Sequence, residues 1–555
     1  MSLAQLGTQS GKVETIFAEA PYLPDPLQGY QAIAGKNSVL LESAEIDSKD
    51  NLQSLILCDA ALRIECQGQQ VLVQALTQNG RSLLPFLSEK LPSNIAKHNP
   101  QSQLDESQNN TLEFVFEKAD DSLDEDSRLK QPFVLDVLRT LQSELHVIRE
   151  HPHCVFLGGV FSYDLLACFE SLPEVKTGLN TCPDYVFYLA ETLLLIDHKA
   201  QTTQILGSVF SSPNVAQQYF DIQQRIESIK HSLESLEPEN DSLNAKSALG
   251  KKRTDSVPNV DKSDKAFCQE VEALQEHILD GDIFQVVPSR TFSLPCPEPL
   301  LAYRRLKQSN PSPYMFFLSD QDFSIFGASP ESALKYDKDS NQVEIYPIAG
   351  TRPRGKRSDG TVDLDLDSRL ELNLQQDSKE KAEHIMLVDL ARNDVAKVSK
   401  PGSRHVKDLL KVDRYSHVMH LVSRVVGELR DDLDGLHAYQ ACMNMGTLVG
   451  APKISAATLI RETEGCTRGS YGGAVGYLNG HGDFDTCIVI RSAFVTDDTA
   501  YVQAGAGVVK DSMPQAEADE TRAKAQAVVQ AVTQSLTPTT SNSDDDASLT
   551  ETKGA

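Results

Sequence analysis

The sequence predicts an α+β protein, in which helices and antiparallel strands come in separate blocks rather than in alternation. Residues 474–509 contain three short runs rich in strand-forming residues, joined by polar turns, which predicts an antiparallel meander. Amphipathic runs at 265–280, 378–394, 435–443 and 515–535 predict helices. Because these helices do not follow each strand in turn, a doubly wound parallel sheet is disfavoured.

The chain divides into two large parts by composition. Alternating apolar residues around 62–66 and 71–76, separated by polar residues, predict a β-hairpin in the first part. The predicted divisions are an N-terminal part at 1–235, a polar linker at 236–264, a second part at 265–536 and a low-complexity acidic tail at 537–555, expected to be disordered.

Composition restricts the class of protein. The chain has 555 residues, 40% of them apolar, which supports a substantial core. No apolar run reaches the roughly 18 residues of a membrane span. The N-terminus lacks a basic segment followed by an apolar stretch, so a cytoplasmic protein is expected. The ten cysteines form no CxxC pair, which favours reduced thiols over a zinc site or a disulfide framework.

The net charge also excludes partners. It is −27, from 52 basic and 79 acidic residues. Nucleic acid and anionic membrane surfaces are therefore not expected as main partners. An anionic substrate would need a local positive field or a metal ion.

Chemistry-bearing residues concentrate in the stretch from Gln503 to Lys524. Glycines at 505 and 507 allow backbone N–H groups to approach an anion closely. In the helix that follows, spacings of three and four place Glu517, Glu520 and Lys524 on one stripe. The alternative is a turn followed by a solvated helix face with an ordinary ion pair.

A second acidic pair lies on the helix predicted after Asp377, a good N-cap residue. Glu380 and Glu383 share a face of this helix. Mg²⁺ commonly uses one or two protein carboxylates together with water and substrate oxygens. One carboxylate from each helix would therefore suffice, although these acids could instead only favour the helix dipole.

Three further segments add groups suited to a carboxylate ligand. Residues 347–355 place Gly, Thr and Arg after a strand, and residues 443–453 form a glycine-spaced loop without the Walker pattern. Arg491 stands among apolar strand residues, where a charge needs a partner. His420 reads equally well as a core histidine or a functional one.

Seven segments, taken together and in this order along the chain, form a specific pattern. They are DIFQVVPSR (282–290), NPSPYMFF (310–317), PIAGTRPRG (347–355), HIMLVDLARND (384–394), MNMGTLVGAPK (443–453), RGSYGGAVGY (468–477) and GAGVVKDSMPQAEADETRAKA (505–525). Together they resemble the anthranilate synthase component I family of chorismate-utilising enzymes, over nearly the whole chain. This resemblance implies a large α/β sandwich of mainly antiparallel sheets, with the N-terminal part packed on a chorismate-binding part.

The resemblance also implies roles for individual residues. Mg²⁺ would be held by Glu383 and Glu520, with Glu517 reached through water and Glu380 close to the metal's waters. Chorismate would contact Gly350, Thr351, Tyr471, Arg491, Gly505, Ala506, Gly507 and Lys524. The expected catalytic residues are Glu380 as general acid, His420 for proton transfer in the second step, Thr447 and Gln285.

Two positions bear on the reaction. Relatives that add water to chorismate carry a lysine base where this chain has Gln285, and a glutamine amide cannot deprotonate water. Aminodeoxychorismate synthase component I is the alternative within the superfamily, and Ala349 disfavours it because those enzymes typically carry lysine there. A non-catalytic tryptophan-sensing scaffold is the alternative from another class.

The resemblance further implies a feedback site and a partner. The residues expected to bind inhibitory L-tryptophan are Glu42, Ser43, Asn310, Pro313, Tyr314, Met315, Phe316 and Cys487. No cysteine lies in a nucleophile-elbow context, so a separate glutamine amidotransferase subunit is expected to supply ammonia. The expected assembly is a heterotetramer.

Overall fold

The structure is a computed structural model that describes residues 6–44, 51–93, 95–98, 110–236, 257–357, 360–415 and 418–536. Most of the predicted linker, at 237–256, and the predicted tail at 537–555 lie outside the described residues. Among the described helices, none is long and apolar enough to cross a membrane.

Strands dominate the architecture. They are β1 Lys12–Ala20, β2 Ser38–Ala44, β3 Asn51–Gln67, β4 Gln70–Ala75, β5 Ala96–His98, β6 Thr111–Val115, β7 His146–Val147, β8 Leu157–Phe161, β9 Tyr185–Asp197, β10 Thr202–Phe210, β11 Asn259–Val260, β12 Gln285–Val286, β13 Ser289–Pro295, β14 Tyr314–Ser319, β15 Ser324–Ser329, β16 Ser332–Asp337, β17 Gln342–Ile345, β18 Ile348–Pro353, β19 His405–Arg414, β20 Val418–Glu428, β21 Gly450–Ala451, β22 Ala474–Leu478, β23 Phe484–Ile488, β24 Ser492–Thr496 and β25 Thr499–Gly505.

Helices cover the faces and ends of the strand network. They are α1 Pro26–Ile33, α2 Gln78–Arg81, α3 Leu83–Lys90, α4 Glu125–Leu129, α5 Asp136–Glu144, α6 Leu166–Phe169, α7 Val215–Glu234, α8 Asp264–Asp280, α9 Pro299–Ser309, α10 Leu364–Gln376, α11 Ser378–Val398, α12 Gly435–Cys442, α13 Gly446–Val449, α14 Lys453–Glu464 and α15 Pro514–Ser535, with a short 3₁₀ turn at Tyr163–Leu165.

Almost all the strand pairing is antiparallel, and the α+β prediction is confirmed. Among the named strands of the described chain, the one parallel pair joins β1 to β7. Hairpin β3–β4 pairs Leu62 with Ala75, as the alternation predicted. The predicted three-strand meander is wrong in its connection. Four strands form two antiparallel hairpins, β22–β23 and β24–β25, and β24 pairs with β15 rather than with β23.

Sheet ladders cross between the N-terminal part and the second part. Strand β2 pairs antiparallel with β14, and β8 pairs with β22 over five residues. One apolar cluster likewise mixes both parts, with Ile56 and Leu194 packed in the same core as Phe317. The two parts therefore share sheets and a core. The boundaries drawn from composition remain a prediction.

Candidate active site

The first acidic helix begins as the sequence predicted. Asp377 caps α11 by accepting hydrogen bonds from the backbone N–H groups of Lys379 and Glu380, at 3.0 and 3.1 Å. Arg352 donates to the Glu380 carboxylate at 2.8 Å. Arg352 therefore holds the Glu380 carboxylate at the start of α11 through a charge-assisted hydrogen bond.

Strand β18 brings glycine and threonine to the start of this helix. Gly350 has a left-handed φ of +76°, and a Cβ there would lie 3.1 Å from Oε2 of Glu380. The irregular β18–β20 register sets Thr351 opposite His420. Gly350, Thr351, Glu380 and His420 therefore meet at one place.

His420 is buried in this corner. Its Nδ1 lies 3.0 Å from the Thr351 hydroxyl and 3.3 Å from the Gly350 carbonyl oxygen. Burial lowers its pKa to about 4, and the positive charges of Arg491 and Lys524 act in the same direction. The imidazole is therefore neutral at neutral pH. With Nδ1–H donating to the Gly350 carbonyl, Nε2 carries a free lone pair.

Two cationic side chains approach the same corner. Lys524 donates to the Gly505 carbonyl oxygen at 3.0 Å and pairs with Glu520 at 2.7 Å. The ion pair expected under the alternative interpretation is thus present, but Lys524 also contacts the end of β25 through the Gly505 carbonyl oxygen. Arg491 makes no side-chain hydrogen bond or ion pair to any described residue, and burial lowers its pKa. A desolvated guanidinium without a partner is suited to an anionic ligand.

The glycine-rich end of β25 is packed too closely for a side chain. A Cβ on Gly505 would lie 2.7 Å from the Pro288 carbonyl oxygen and 3.0 Å from the Tyr471 hydroxyl. A Cβ on Gly507 would lie 2.6 Å from Nε2 of Gln285. Gly505, Gly507, Tyr471 and Gln285 therefore lie together, with Ala506 buried between the glycines.

Gln285 has an unsatisfied acceptor. It lies on the short strand β12, opposite Ala451 of β21. Its Oε1 is buried and has no hydrogen-bond partner in the described part of the chain. An unpaired buried amide oxygen is costly, so it is suited to an N–H donor of a ligand.

Four carboxylates from two helices face one another. Burial raises the pKa of Glu383, and the charges of Glu380, Glu517 and Glu520 raise it further. Burial also raises the pKa of Glu517. Within the described residues no three groups stand in a metal-holding arrangement. A bound cation would relieve the mutual repulsion of these carboxylates.

Glu331 is a site residue that the sequence reasoning missed. It lies between β15 and β16, is buried, and accepts a 3.0 Å hydrogen bond from the Thr447 hydroxyl. Burial raises its pKa to about 8, against the opposing effects of Thr447, Lys524 and Arg491. Glu331 and Thr447 line the same small cleft. Thr447 thus joins the site through Glu331.

The residues of the expected feedback site lie on neighbouring strands. Ser43 stands opposite Tyr314, and Glu42 opposite Met315, in the β2–β14 ladder. Within the protein, the Glu42 carboxylate already accepts hydrogen bonds from Lys307, at 2.5 Å, and from the Tyr303 hydroxyl, at 2.6 Å. Both donors lie on α9, so Glu42 anchors this helix.

The remaining members of this group lie around Tyr314. Asn310 and Pro313 lead into β14, Phe316 lies within it, and Cys487 on β23 faces Ser332. The sequence reasoning missed Asp485. Burial raises the pKa of the Tyr314 hydroxyl, and the nearby Asp485 and Cys487 raise it further. Oδ1 of Asp485 is buried and unpaired among the described residues, and burial raises the pKa of this carboxyl to about 6. Such a carboxyl is suited to a cationic ligand group.

A local signal was available for one of the two missed acids. Asp485 stands in FDTCIVI, an acidic residue inside an apolar stretch. Ionisable residues are rarely buried without a partner, so this position could have been singled out. Glu331 stands in the turn between two strands, flanked by Pro330 and Ser332, so its burial follows from tertiary packing that no local pattern shows.

The chain is similar to known proteins over most of its length. The family model of chorismate binding enzymes matches residues 99–530. Anthranilate synthase component 1 of Vibrio parahaemolyticus is 56% identical over 94% of this chain and 93% of its own length. The protein of the same name from Escherichia coli K12 is 53% identical over 95% of this chain and 98% of its own length.

Solved structures agree as well. Anthranilate synthase component I from Streptococcus pneumoniae superposes with a TM-score of 0.64 at 27% identity, covering 91% of this chain and 97% of that one. The isochorismate synthase MenF from Escherichia coli gives a TM-score of 0.61 at 16% identity, which shows a shared fold alone.

Proposed function

Because the chain belongs to the family of chorismate binding enzymes, we propose that it is a carbon–oxygen lyase that converts chorismate and ammonia into anthranilate and pyruvate. The observation that carries this proposal is the meeting of cationic and acidic groups at one buried corner. Arg491 and Lys524 lie near a carboxyl, Glu331, that burial keeps protonated at neutral pH. A dianion with a hydroxyl leaving group needs this combination.

The positive groups would hold the substrate. The unpaired guanidinium of Arg491 can accept a chorismate carboxylate, and Lys524 adds a second charge. Gly505 and Gly507 would offer their backbone N–H groups to the ligand, with Tyr471 as a wall beside Gly505. A strongly acidic chain thereby provides a local positive field for an anionic substrate.

Mg²⁺ fits the acidic cluster. Glu383 and Glu520 would hold it, with Glu517 reached through water, because these carboxyls now repel one another in a partly buried place. When bound, it would supply Lewis-acid polarisation of a substrate carboxylate.

The first step needs a proton donor. The nitrogen lone pair of ammonia forms the bond to ring carbon C2, the ring double bonds shift towards C4, and the bond from C4 to its hydroxyl breaks. A proton converts the leaving hydroxyl into water, and the new ammonium group on C2 releases one proton. Glu331 is better suited than Glu380 to donate the proton to the leaving hydroxyl, because Glu331 is protonated near neutral pH whereas Glu380 is paired with Arg352.

The second step needs a proton acceptor. The aminodeoxyisochorismate intermediate loses its C2 proton as the carbon–oxygen bond to the enolpyruvyl group breaks, which gives an aromatic ring and pyruvate. We assign the acceptor role to Nε2 of neutral His420, whose lowered pKa keeps the lone pair free.

Gln285 favours ammonia over water as the nucleophile. Its free Oε1 can accept an N–H of ammonia, whose lone pair is already available for attack. An amide cannot remove a proton from water, so hydration of chorismate is not expected.

Two further properties belong to the proposal. A glutamine amidotransferase subunit would supply ammonia in a heterotetramer in the cytoplasm, because the relatives carry the name of a component and this chain has no recognisable glutaminase nucleophile. L-tryptophan would inhibit by binding near Ser43 and Tyr314. Its ammonium group is complementary to the unpaired Asp485 oxygen, and its indole ring to the apolar strand faces.

The deciding experiment is turnover by the purified chain with chorismate, Mg²⁺ and ammonium. Anthranilate fluorescence and an equal amount of released pyruvate are expected, and chelation of the metal should stop both. A product that retains the enolpyruvyl group would instead support an aminodeoxychorismate synthase. Tryptophan binding without any turnover would support a sensing scaffold.

A further inference from the structure

We infer that Asp164 of the N-terminal part is a positioning residue for the chorismate site, acting through the loop at 468–472 that carries Tyr471. This inference rests on the proposed function. It assigns a role to the turn at 162–164, directly after β8.

Asp164 collects three donors from the second part of the chain. Its Oδ2 accepts the backbone N–H groups of Arg468 and Gly469 at 2.9 and 2.8 Å. Its Oδ1 accepts the Arg461 guanidinium at 2.8 Å. The side chain is 7% exposed, so water cannot replace these contacts.

Neighbouring residues hold the same loop from the same side. Ser162 Oγ and the backbone N–H of Tyr163 both donate to the Gly469 carbonyl oxygen, at 2.6 and 2.9 Å. Asn180 donates to the Ser470 hydroxyl at 2.9 Å. Gly469 has a left-handed φ of +58°, and a Cβ there would lie 2.3 Å from Oδ1 of Asn180. The loop is therefore fixed in one conformation by the N-terminal part.

The loop in turn places Tyr471. Its hydroxyl lies 3.0 Å from the Cβ position of Gly505, so the ring fills the space beside the glycine-rich strand end. Arg468 reinforces this arrangement, because its guanidinium lies 5.7 Å from the Tyr471 ring centre and 4.7 Å from that of Tyr163. A shift of the loop would move the wall of the chorismate site relative to Gly505.

Asp164→Asn tests this role. The amide keeps the size but presents its NH₂ to groups that are themselves donors, so the loop should lose its fixed position. With saturating ammonium and Mg²⁺, the KM for chorismate should rise about tenfold or more, with a smaller change in kcat. Asp320→Asn is the matched control, because Asp320 is also buried and pairs an arginine of the N-terminal part, Arg63, away from the site.

Two more measurements separate positioning from general destabilisation. If Asp164 acts by placing the Tyr471 ring, the double variant Asp164→Asn/Tyr471→Ala should lose little more than Tyr471→Ala, whereas independent effects would add. Ser162→Ala should raise the KM in the same direction by a smaller factor, and it serves if Asp164→Asn does not fold.

The inference is overturned by additive losses in the double variant. It is equally overturned if both Asp164→Asn and Ser162→Ala keep the unaltered KM, or if Asp320→Asn raises the KM as much at an equal loss of thermal stability. Absence of turnover in the unaltered chain would contradict the proposed function instead.

Discussion

At the scale of single residues, burial shifts the pKa values of Glu331 and His420 in opposite directions, which suits them to opposite proton transfers. Burial disfavours the charged form of each. It therefore raises the pKa of the Glu331 carboxyl to about 8 and lowers that of the His420 imidazole to about 4. An acid that keeps its proton and a base that keeps its lone pair can both work near pH 7 without a strong external base.

Replacing Glu331 with glutamine should reduce kcat by roughly 10²- to 10⁴-fold, because the amide cannot transfer a proton. In the unaltered enzyme, activity should fall as the pH rises above about 8, where Glu331 loses its proton. That fall should be missing from the residual activity of the variant. Steady-state rates between pH 6 and 10, followed by anthranilate fluorescence, measure both effects.

The matched control for this variant is Glu344→Gln. Glu344 lies on β17, and its buried carboxyl is paired with Arg424. The control should leave the pH profile unchanged. A Glu331→Gln variant with nearly full kcat, or with the same decline near pH 8, would remove Glu331 from the mechanism.

Replacing Glu520 with glutamine should abolish Mg²⁺-dependent turnover, because one of two proposed carboxylate ligands is lost. Tryptophan binding, measured by calorimetry, should remain largely intact. Asp519→Asn is the control on the same helix, since this side chain is exposed and pairs with Arg522. An unchanged Mg²⁺ requirement in the Glu520 variant would contradict the metal assignment.

At the scale of elements, the sequence predicted what local spacing encodes. The helices carrying Glu380 and Glu383, and Glu517 to Lys524, appear where their periodicity and capping placed them, although α11 continues to Val398, beyond the predicted 394. The hairpin at 62–76 is also present, whereas the strands after 474 form two hairpins that pair with different neighbours instead of one meander. These features depend on near neighbours in the chain.

Other features depend on contacts that no local pattern encodes. Strand β12 exists only because Gln285 and Val286 pair with Gly450 and Ala451, far along the chain. The role of Glu331 likewise comes from Thr447, over a hundred residues away. The family resemblance implied roles for positions such as Gly350 and His420, but it did not show which acid burial keeps protonated.

Replacing Gly505 with alanine should damage the end of β25, because the new methyl group would lie 2.7 Å from the Pro288 carbonyl oxygen and 3.0 Å from the Tyr471 hydroxyl. We expect the KM for chorismate to rise by about tenfold or more, with a modest loss of melting temperature. Gly35→Ala is the control, since its Cβ would meet nothing within 4 Å. Normal kinetics in the Gly505 variant would show that this strand end does not contact substrate.

At the scale of the whole molecule, the candidate feedback site and the candidate active site share elements. Strand β22 carries Tyr477 and pairs with β23, which carries Asp485 and Cys487. The same β22 follows the loop that holds Tyr471. A ligand that favours one arrangement of these strands would bias the other site, provided that it binds the two arrangements unequally.

Replacing Ser43 with leucine should relieve tryptophan inhibition, because the larger side chain would occupy space beside Tyr314 in the β2–β14 ladder. The half-inhibitory tryptophan concentration should rise by about tenfold or more, with little change in uninhibited kcat. Activity measured without tryptophan is the internal control. Unchanged tryptophan sensitivity would count against this location of the site.

The strand ladders that cross between the two parts also limit how the enzyme can be shortened. A fragment beginning near residue 257 would keep the proposed catalytic groups but leave the edges of β14 and β22 without the partners β2 and β8. Exposed, apolar sheet edges promote aggregation. We therefore expect that deleting the N-terminal part will not give a stable enzyme free of the proposed tryptophan inhibition. Point substitutions that keep the β2–β14 and β8–β22 pairings are the better route.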